Sequence, residues 1–280
     1  DASCTSCHRD LERTVAPGVA LAAAGPAVSF GGEHPAFDLP AADPNTLKLN
    51  HAKHLRPLEV PGGTVTLTCE DCHRPAAGED GRLGRMRPVT FEEHCQRCHL
   101  LTFDPGLPEE QVPHAEPALV AAYVLRAFAG DADWRELTFD ERRRLIVQDP
   151  ERDTRYRLSS GERRAANQAE GYLFGTICPE CHQVEDRGAL PAVAVVSGSR
   201  DWLPAGAFPH ERHGRSQGLS CTDCHGRAAE STATADVLIP GIDACRRCHG
   251  TGAAEVAGGR RVPSGCVDCH GYHQEIPPRS

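Results

Sequence analysis

The residues of this chain best able to do chemistry are its cysteines, which occur only in pairs. All 14 cysteines fall into seven CxxC pairs, and a histidine directly follows every pair. Two thiols at this spacing can add to the two vinyl groups along one haem edge, and the adjoining histidine then reaches the iron. Cys-x-x-Cys-His is therefore the attachment signature of haem c. The seven motifs are Cys4-Cys7-His8, Cys69-Cys72-His73, Cys95-Cys98-His99, Cys178-Cys181-His182, Cys221-Cys224-His225, Cys245-Cys248-His249 and Cys266-Cys269-His270.

Two other uses of paired cysteines are weaker alternatives. Structural zinc sites also use CxxC pairs, but zinc does not require a histidine after the second cysteine of every pair. Iron–sulfur clusters share that weakness. A disulfide within CxxC would close a very short loop, which gains little chain entropy. The sequence therefore predicts seven covalently attached haem c groups as cofactors.

Eight histidines remain after the seven motif histidines are set aside, enough to give every iron a second histidine with one to spare. They are His34, His51, His54, His94, His114, His210, His213 and His273. We expect the spare to be His34 or His114. Because His94 and His273 lie too close in sequence to their own motifs to cross the haem plane, any iron they bind should belong to a neighbouring haem. The single methionine, Met86, is expected to pack rather than to bind iron.

Four of these histidines form two HxxH pairs, at His51 and His54 and at His210 and His213. Residues three apart project from the same side of a helical turn but cannot share one axial position. Each pair should therefore serve two irons. We expect the first histidine to serve the following haem, at Cys69 or Cys221. The second is expected to reach a haem elsewhere, at Cys4, Cys178 or Cys266.

The chain resembles the multihaem c-type cytochromes over its whole length, and in particular the small bis-histidine electron carriers in which HxxH precedes CxxCH. His51-Ala52-Lys53-His54 before Cys69 and His210-Glu211-Arg212-His213 before Cys221 show that pattern. The resemblance implies electron transfer rather than an enzyme, and haem attachment outside the cytoplasm, in the periplasm or cell exterior. No motif replaces its histidine with lysine, the departure that marks the catalytic haem of some multihaem reductases.

The resemblance leaves the assembly open. Some extracellular cytochromes polymerise, and one subunit then lends a histidine to a haem of the next. Motifs near both ends of this chain, at Cys4 and Cys266, suit contacts with identical subunits in a head-to-tail filament. The alternative is a periplasmic shuttle or a subunit of a membrane respiratory complex, and its partners would then be other redox proteins. A multihaem oxyanion reductase would need an iron with no distal protein ligand.

Composition excludes several classes of protein. A net charge of −9 and a pI of about 5.9 argue against a nucleic-acid-binding protein. No apolar run approaches the 18 residues or so of a membrane-spanning helix. We expect that a signal peptide has been removed. Only 5% of residues are aromatic. The haems should therefore form much of the apolar core, in a fold that is mainly α with much irregular loop and little β structure.

Motif order suggests two related triheme blocks separated by a haem-free segment. Asp-Cys-His followed by Arg-Cys-His occurs at Cys72 and Cys98 and again at Cys224 and Cys248. The predicted units are residues 1–114, a helical insert at 115–165, and residues 166–280, which add a terminal haem. Within the insert, an apolar run at 117–129 and capping boxes at 138–141 and 159–162 predict three helices.

Overall fold

The fold is mainly helical with long irregular connections, as the sequence predicts. The computed structural model describes residues 2–10, 13, 26–76, 86–129, 134, 136–148, 158–188, 190–196, 202–203, 206–214, 217–250 and 262–271. His273 lies outside this part of the chain. No helix within the described ranges combines the length and apolar character needed to cross a membrane.

Seven α-helices are described, most of them a single turn or two. They are α1 (Ala2–His8), α2 (His51–His54), α3 (Pro117–Phe128), α4 (Phe139–Gln148), α5 (Ser160–Tyr172), α6 (Cys178–Cys181) and α7 (Ile242–Arg246). Two π-helical turns, at Phe91–Cys95 and Leu173–Ile177, and 3₁₀ turns at Cys69–Asp71, His210–His213, Cys221–Asp223, Ala228–Glu230 and Cys266–Asp268 complete the helical structure.

The three longer helices lie between the fourth cysteine motif and the three before it, where the sequence predicts them. Pro117 occupies the first turn of α3, a position where its missing N–H costs nothing. Helix α4 starts at a capping box in which the Thr138 backbone donates to Glu141 at 2.8 Å. Helix α5 starts at the equivalent box, in which Ser159 donates to Glu162 at 2.7 Å. The helix predictions are confirmed.

The main hydrophobic core of the described residues belongs to these three helices and the segments beside them. Helix α3 packs against both α4 and α5. The buried members of this core are Phe103, Val112, Val120, Ala122, Tyr123, Val124, Trp134, Ile146, Ala166, Ala169 and Leu173. We call this part of the molecule, residues 101–177, the helical insert. Its packing extends beyond both ends of the predicted 115–165 segment.

The β structure consists of two short antiparallel hairpins. One pairs β1 (Leu58–Val60) with β2 (Gly63–Val65), and the other pairs β3 (Val184–Glu185) with β4 (Ala192–Val193). The first hairpin turns at Gly62, whose φ of 102° is rarely adopted by residues with a side chain.

Candidate haem-attachment sites

Six of the seven cysteine motifs fold as a single turn that brings both thiols and the histidine together. In each of the six, the histidine backbone N–H donates to the carbonyl of the first cysteine, for example from His73 to Cys69 at 2.8 Å and from His270 to Cys266 at 2.9 Å. The motif at Cys4 lies within helix α1. A tightly wound CxxCH turn is what simultaneous attachment to one haem edge and its iron requires.

An aspartate stabilises three of these turns. Asp71, Asp223 and Asp268 each accept a hydrogen bond of 2.7 Å from the backbone N–H of the residue that precedes the first cysteine. This hydrogen bond is the largest cause lowering the pKa of Asp71 and of Asp223. The recurring Asp-Cys-His sequence is therefore a local capping device of the attachment turn.

Six motif histidines each face a second histidine ring. The ring centroids are separated by 6.3 Å for His51 and His73, 6.2 Å for His54 and His99, 5.7 Å for His114 and His182, 6.5 Å for His210 and His225, 5.9 Å for His213 and His249, and 5.8 Å for His34 and His270.

This spacing is what two imidazoles on opposite faces of one haem require. A metal-to-imidazole bond is about 2.0–2.1 Å, and the ring centre lies about 1 Å farther on, so two rings on one metal have centroids about 6 Å apart. All six observed separations lie between 5.7 and 6.5 Å. The residues present therefore fit bis-histidine haem c, and each pair joins one CxxCH histidine to one histidine from outside the motifs.

Backbone carbonyls orient several of these rings. The Nδ1 atoms of His54, His213 and His225 lie 2.8, 3.0 and 2.8 Å from the carbonyl oxygens of Asn50, Pro209 and Leu238. A histidine that donates from Nδ1 presents the lone pair of Nε2 to a metal. In the pair of His114 and His182, the two Nε2 atoms approach to 3.5 Å. The rings of His114 and His182 therefore point their Nε2 atoms at each other across a common gap.

Burial favours the state in which these rings can bind iron. Desolvation is the largest cause lowering the pKa of His51, His73, His114 and His182. A lowered pKa keeps an imidazole neutral near pH 7, with a free nitrogen lone pair. Burial also raises the pKa of several motif thiols, including those of Cys95 and Cys178.

The two histidines of each HxxH pair face two different motif histidines, although the second partner differs from the sequence expectation. His51 and His210 face His73 and His225, at the motifs that directly follow them. His54 faces His99 and His213 faces His249. The expectation that the second histidine reaches the motif at Cys4, Cys178 or Cys266 is wrong. Both rings leave the same turn, so the sites they face must be neighbours, and the fold supplies that neighbour from the next motif in the chain.

The remaining histidines differ in whether a second histidine ring faces them. His34 and His114, between which we expected the spare, face His270 and His182. His94 has its Nδ1 beside the backbone of Thr90, 3.1 Å from the carbonyl oxygen. Within the described ranges, no second histidine ring stacks against His8 or His94. The site at Cys4 thus has its motif histidine but no ring opposite it in that part of the chain.

The alternatives to haem are less well matched by the geometry. No disulfide joins any of the 14 cysteines, all of which are described. A structural zinc ion needs four converging ligands. No group of three or more His, Cys, Asp or Glu residues converges on a common point in the described part of the chain.

Comparison with known protein families finds a similarity in the C-terminal region. Residues 206–272 match the family described as cytochrome c7 and related cytochrome c. The matched region contains His210, His213 and the motifs at Cys221, Cys245 and Cys266. No curated protein and no solved structure matches the chain significantly. The family match supports a multihaem c-type cytochrome, a class that carries covalently bound haem c and transfers electrons.

Proposed function

We propose that this protein is a heptahaem c-type cytochrome that conducts electrons along a row of closely spaced bis-histidine haems. The observation that carries the proposal is the set of six histidine pairs, each with centroids 5.7 to 6.5 Å apart. Haem c, once attached, supplies one-electron iron chemistry. The chain's own residues would hold each group: the two cysteines of a motif would bind its edge, the motif histidine would bind its iron, and at six sites a facing histidine would bind that iron as well.

This arrangement favours conduction over catalysis, and we propose that the protein is not an enzyme. A haem that activates a small molecule needs an open or exchangeable iron position, and six of the sites have histidines on both sides of the gap. The lowered pKa of rings such as His73 and His182 keeps the ligating nitrogens available. Low-spin iron and comparatively negative potentials follow from double histidine ligation.

We place the protein outside the cytoplasm, in the periplasm or beyond the cell surface, because c-type haem attachment occurs there in the related cytochromes.

For its assembly we propose identical subunits arranged head to tail. The Cys4 site supports this, since the described residues set no second histidine against His8 and a neighbouring subunit can supply one. Electron microscopy of the native protein tests the assembly: uniform filaments support it, and isolated one- or two-chain particles favour a shuttle.

Mass spectrometry tests how many haems are attached, and electron paramagnetic resonance tests how their irons are ligated. Seven haems of about 0.6 kDa each should add about 4.3 kDa to the 30.1 kDa chain. The ferric protein should give low-spin signals at the six paired sites and should not bind cyanide rapidly there. Five or fewer haems in fully matured protein would overturn the proposal. Turnover of nitrite or hydroxylamine would show instead that the protein is a reductase.

A further inference from the structure

The two halves of the molecule meet at a pair of attachment sites that are far apart in sequence. The Ala52 backbone N–H, between His51 and His54, donates to the Ser231 carbonyl at 2.8 Å. Helix α2 also packs against the turn Ala228–Glu230, which closely follows the motif at Cys221. The turn whose His51 faces His73 thus lies against the segment that follows His225, which makes the sites at Cys69 and Cys221 neighbours.

On one side of this junction, the sites follow in the order Cys69, Cys95, Cys178. His51 and His54, which lie on one turn, face His73 and His99, so the sites at Cys69 and Cys95 are neighbours. An ion pair of 3.9 Å joins Arg97 to Asp71 across the first two motifs.

The link between the second and third of these sites is an aromatic contact. Phe91, in the turn that leads into Cys95, stacks on His114 with centroids 4.5 Å apart. His114 in turn faces His182 of the Cys178 motif. The insert therefore adds a long stretch of sequence between the motifs at Cys95 and Cys178 without separating the sites in space.

On the other side of the junction, the same contacts recur in the order Cys221, Cys245, Cys266. His210 and His213, which lie on one turn, face His225 and His249, so the sites at Cys221 and Cys245 are neighbours. Arg247 donates to the backbone carbonyl of Asp223, in the place of the ion pair between Arg97 and Asp71.

An aromatic side chain again links the second and third sites. The Phe30 centroid lies 6.3 Å from that of His249 and 5.4 Å from that of His34, the ring that faces His270. Phe30 therefore occupies the position that Phe91 has in the other half, although it comes from a distant part of the chain.

The same backbone contact recurs in the two halves. Lys48 and Ala207 each lie three residues before an HxxH pair. Their backbone N–H groups donate to the carbonyls of Cys181 and Cys269, both at 2.7 Å. Each unit therefore closes on its third motif, at Cys178 or Cys266. This grouping moves the motif at Cys178 out of the predicted 166–280 unit and into the first one.

We propose that the attachment sites are arranged in space as Cys178, Cys95, Cys69, Cys221, Cys245, Cys266, with two triheme units joined head to head at Cys69 and Cys221. The Cys178 site, which is fourth of seven in the sequence, then lies at one end of the row. The site at Cys4 continues the row beyond Cys266, since the His8 carbonyl accepts from Ala27 at the start of the segment that carries Phe30 and His34. The proposal rests on the proposed function only in requiring that haems occupy these sites.

The order has a functional consequence. The two ends of the row, where an exchange partner should meet it, are then the Cys178 and Cys4 sites, whereas the sequence pointed to Cys4 and Cys266 as the contact sites. Electrons entering at either end would cross both units through the junction at Cys69 and Cys221.

Anomalous diffraction at the iron edge, on crystals of the haem-loaded protein, tests the order directly. The expected result is that the irons at Cys69 and Cys221 form the closest pair between the two units, and that the Cys178 iron has a single near neighbour, at Cys95. A close pair formed by the irons at Cys178 and Cys221, as in a row that follows the sequence, would overturn the proposal.

Haem deletion with nuclear magnetic resonance provides a second test in solution. Two matched double variants remove one haem each: Cys178→Ala with Cys181→Ala, and Cys221→Ala with Cys224→Ala. In the reduced protein, the first should shift the haem methyl resonances of one neighbouring haem and the second those of two. Two perturbed neighbours for the Cys178 deletion would contradict an end position.

The two proposals fail in different ways. A haem count of five or fewer would refute the proposed function. A complete set of low-spin haems with another order of irons would refute only the head-to-head arrangement. Should the variants not mature, the diffraction measurement on the unsubstituted protein still decides the order.

Discussion

The helical insert and the cysteine-bearing units bury their side chains in different ways. In the insert, aromatic rings pack on one another: Tyr123 lies 5.0 Å from Trp134, and Phe103 lies 6.0 Å from Phe128, centroid to centroid. In the units, the aromatic side chains pack on histidines instead. Phe208, for example, stacks on His213 at 4.3 Å.

The buried residues show the same contrast. The main core cluster belongs to the insert and its flanking segments, whereas Ala52 and Ile242 are the buried apolar side chains described in the units. A segment with so little apolar surface of its own cannot offset the conformational entropy lost on folding. The insert therefore has its own hydrophobic core, whereas we expect the folding of the units to depend on haem bound between the paired histidines.

The largest expected effect follows from withholding haem. Protein made where haem cannot be attached should keep slow hydrogen exchange in α3 and α5 and lose it in turns such as Cys69–Asp71 and Cys221–Asp223. Hydrogen exchange with mass spectrometry measures both regions in one sample, with the haem-loaded protein as control. Equal protection of units and insert without haem would contradict the contrast.

A smaller effect is expected when one paired histidine is removed. His51→Ala leaves His73 alone at its site, so one haem should become high-spin and bind cyanide, as measured by electron paramagnetic resonance. His51→Met should instead keep the iron low-spin and raise its potential, since methionine donates less strongly to ferric iron.

The matched control is His94→Ala. The His94 ring has its Nδ1 beside the Thr90 backbone, and no histidine ring stacks against it in the described part of the chain. The spectrum should stay that of the unsubstituted protein. A high-spin signal in this variant would assign His94 to an iron and would break the pairing scheme.

Local features of the fold were predictable from the sequence, because they depend on a few adjacent residues. The CxxCH turns close through a hydrogen bond within each motif, and α4 and α5 start at capping boxes that span four residues. Helix α3 likewise follows from one apolar run that begins at a proline.

The assignment of partners was harder, because it depends on contacts between distant segments. His34 crosses nearly the whole chain to face His270, and no local pattern indicates that pairing. The second ring of each HxxH pair was assigned to the wrong motif for the same reason. One sequence signal did contain the answer: the recurring aspartate and arginine of the motifs at Cys72 and Cys98 form an ion pair between Asp71 and Arg97, which shows that these two sites are neighbours.

Truncation of the largest buried side chain of the insert should destabilise the insert more than the cysteine-bearing units. Trp134 is 1% exposed, and the guanidinium groups of Arg126 and Arg142 lie 5.0 and 5.4 Å from its ring centroid. Trp134→Ala should lower the free energy of unfolding of the insert by about 3–5 kcal/mol. Hydrogen exchange in α3 and α5 reports the loss, and Tyr172→Ala, at a ring that is 47% exposed, is the control.

The same variant should disturb one haem site only. His114 and the turn that leads into Cys178 both belong to the insert, so the site that His114 shares with His182 should lose its low-spin signal first. The five other paired sites should keep theirs. Loss of signal at several sites would show that the units depend on the insert.

The smallest expected effect concerns the start of α5. Ser159→Ala removes the hydroxyl that accepts from the Glu162 backbone at 3.3 Å, which should lower stability by about 1 kcal/mol.

Hydrogen bonds from the Ser159 backbone and then from its side chain lower the pKa of Glu162. A carboxylate whose pKa is lower in the folded state stabilises the fold above its unfolded pKa, near 4.5, and this contribution is lost as the pH falls through the lower folded value. The protection of α5 should therefore decrease on acidification below about pH 4.5 in the unsubstituted protein and less steeply in Glu162→Gln. Ser160→Ala, one residue on, is the matched control and should leave both stability and its pH dependence unchanged. An equal loss in Ser160→Ala would mean that the effect does not come from the capping box, because alanine has the higher helix propensity of the two residues.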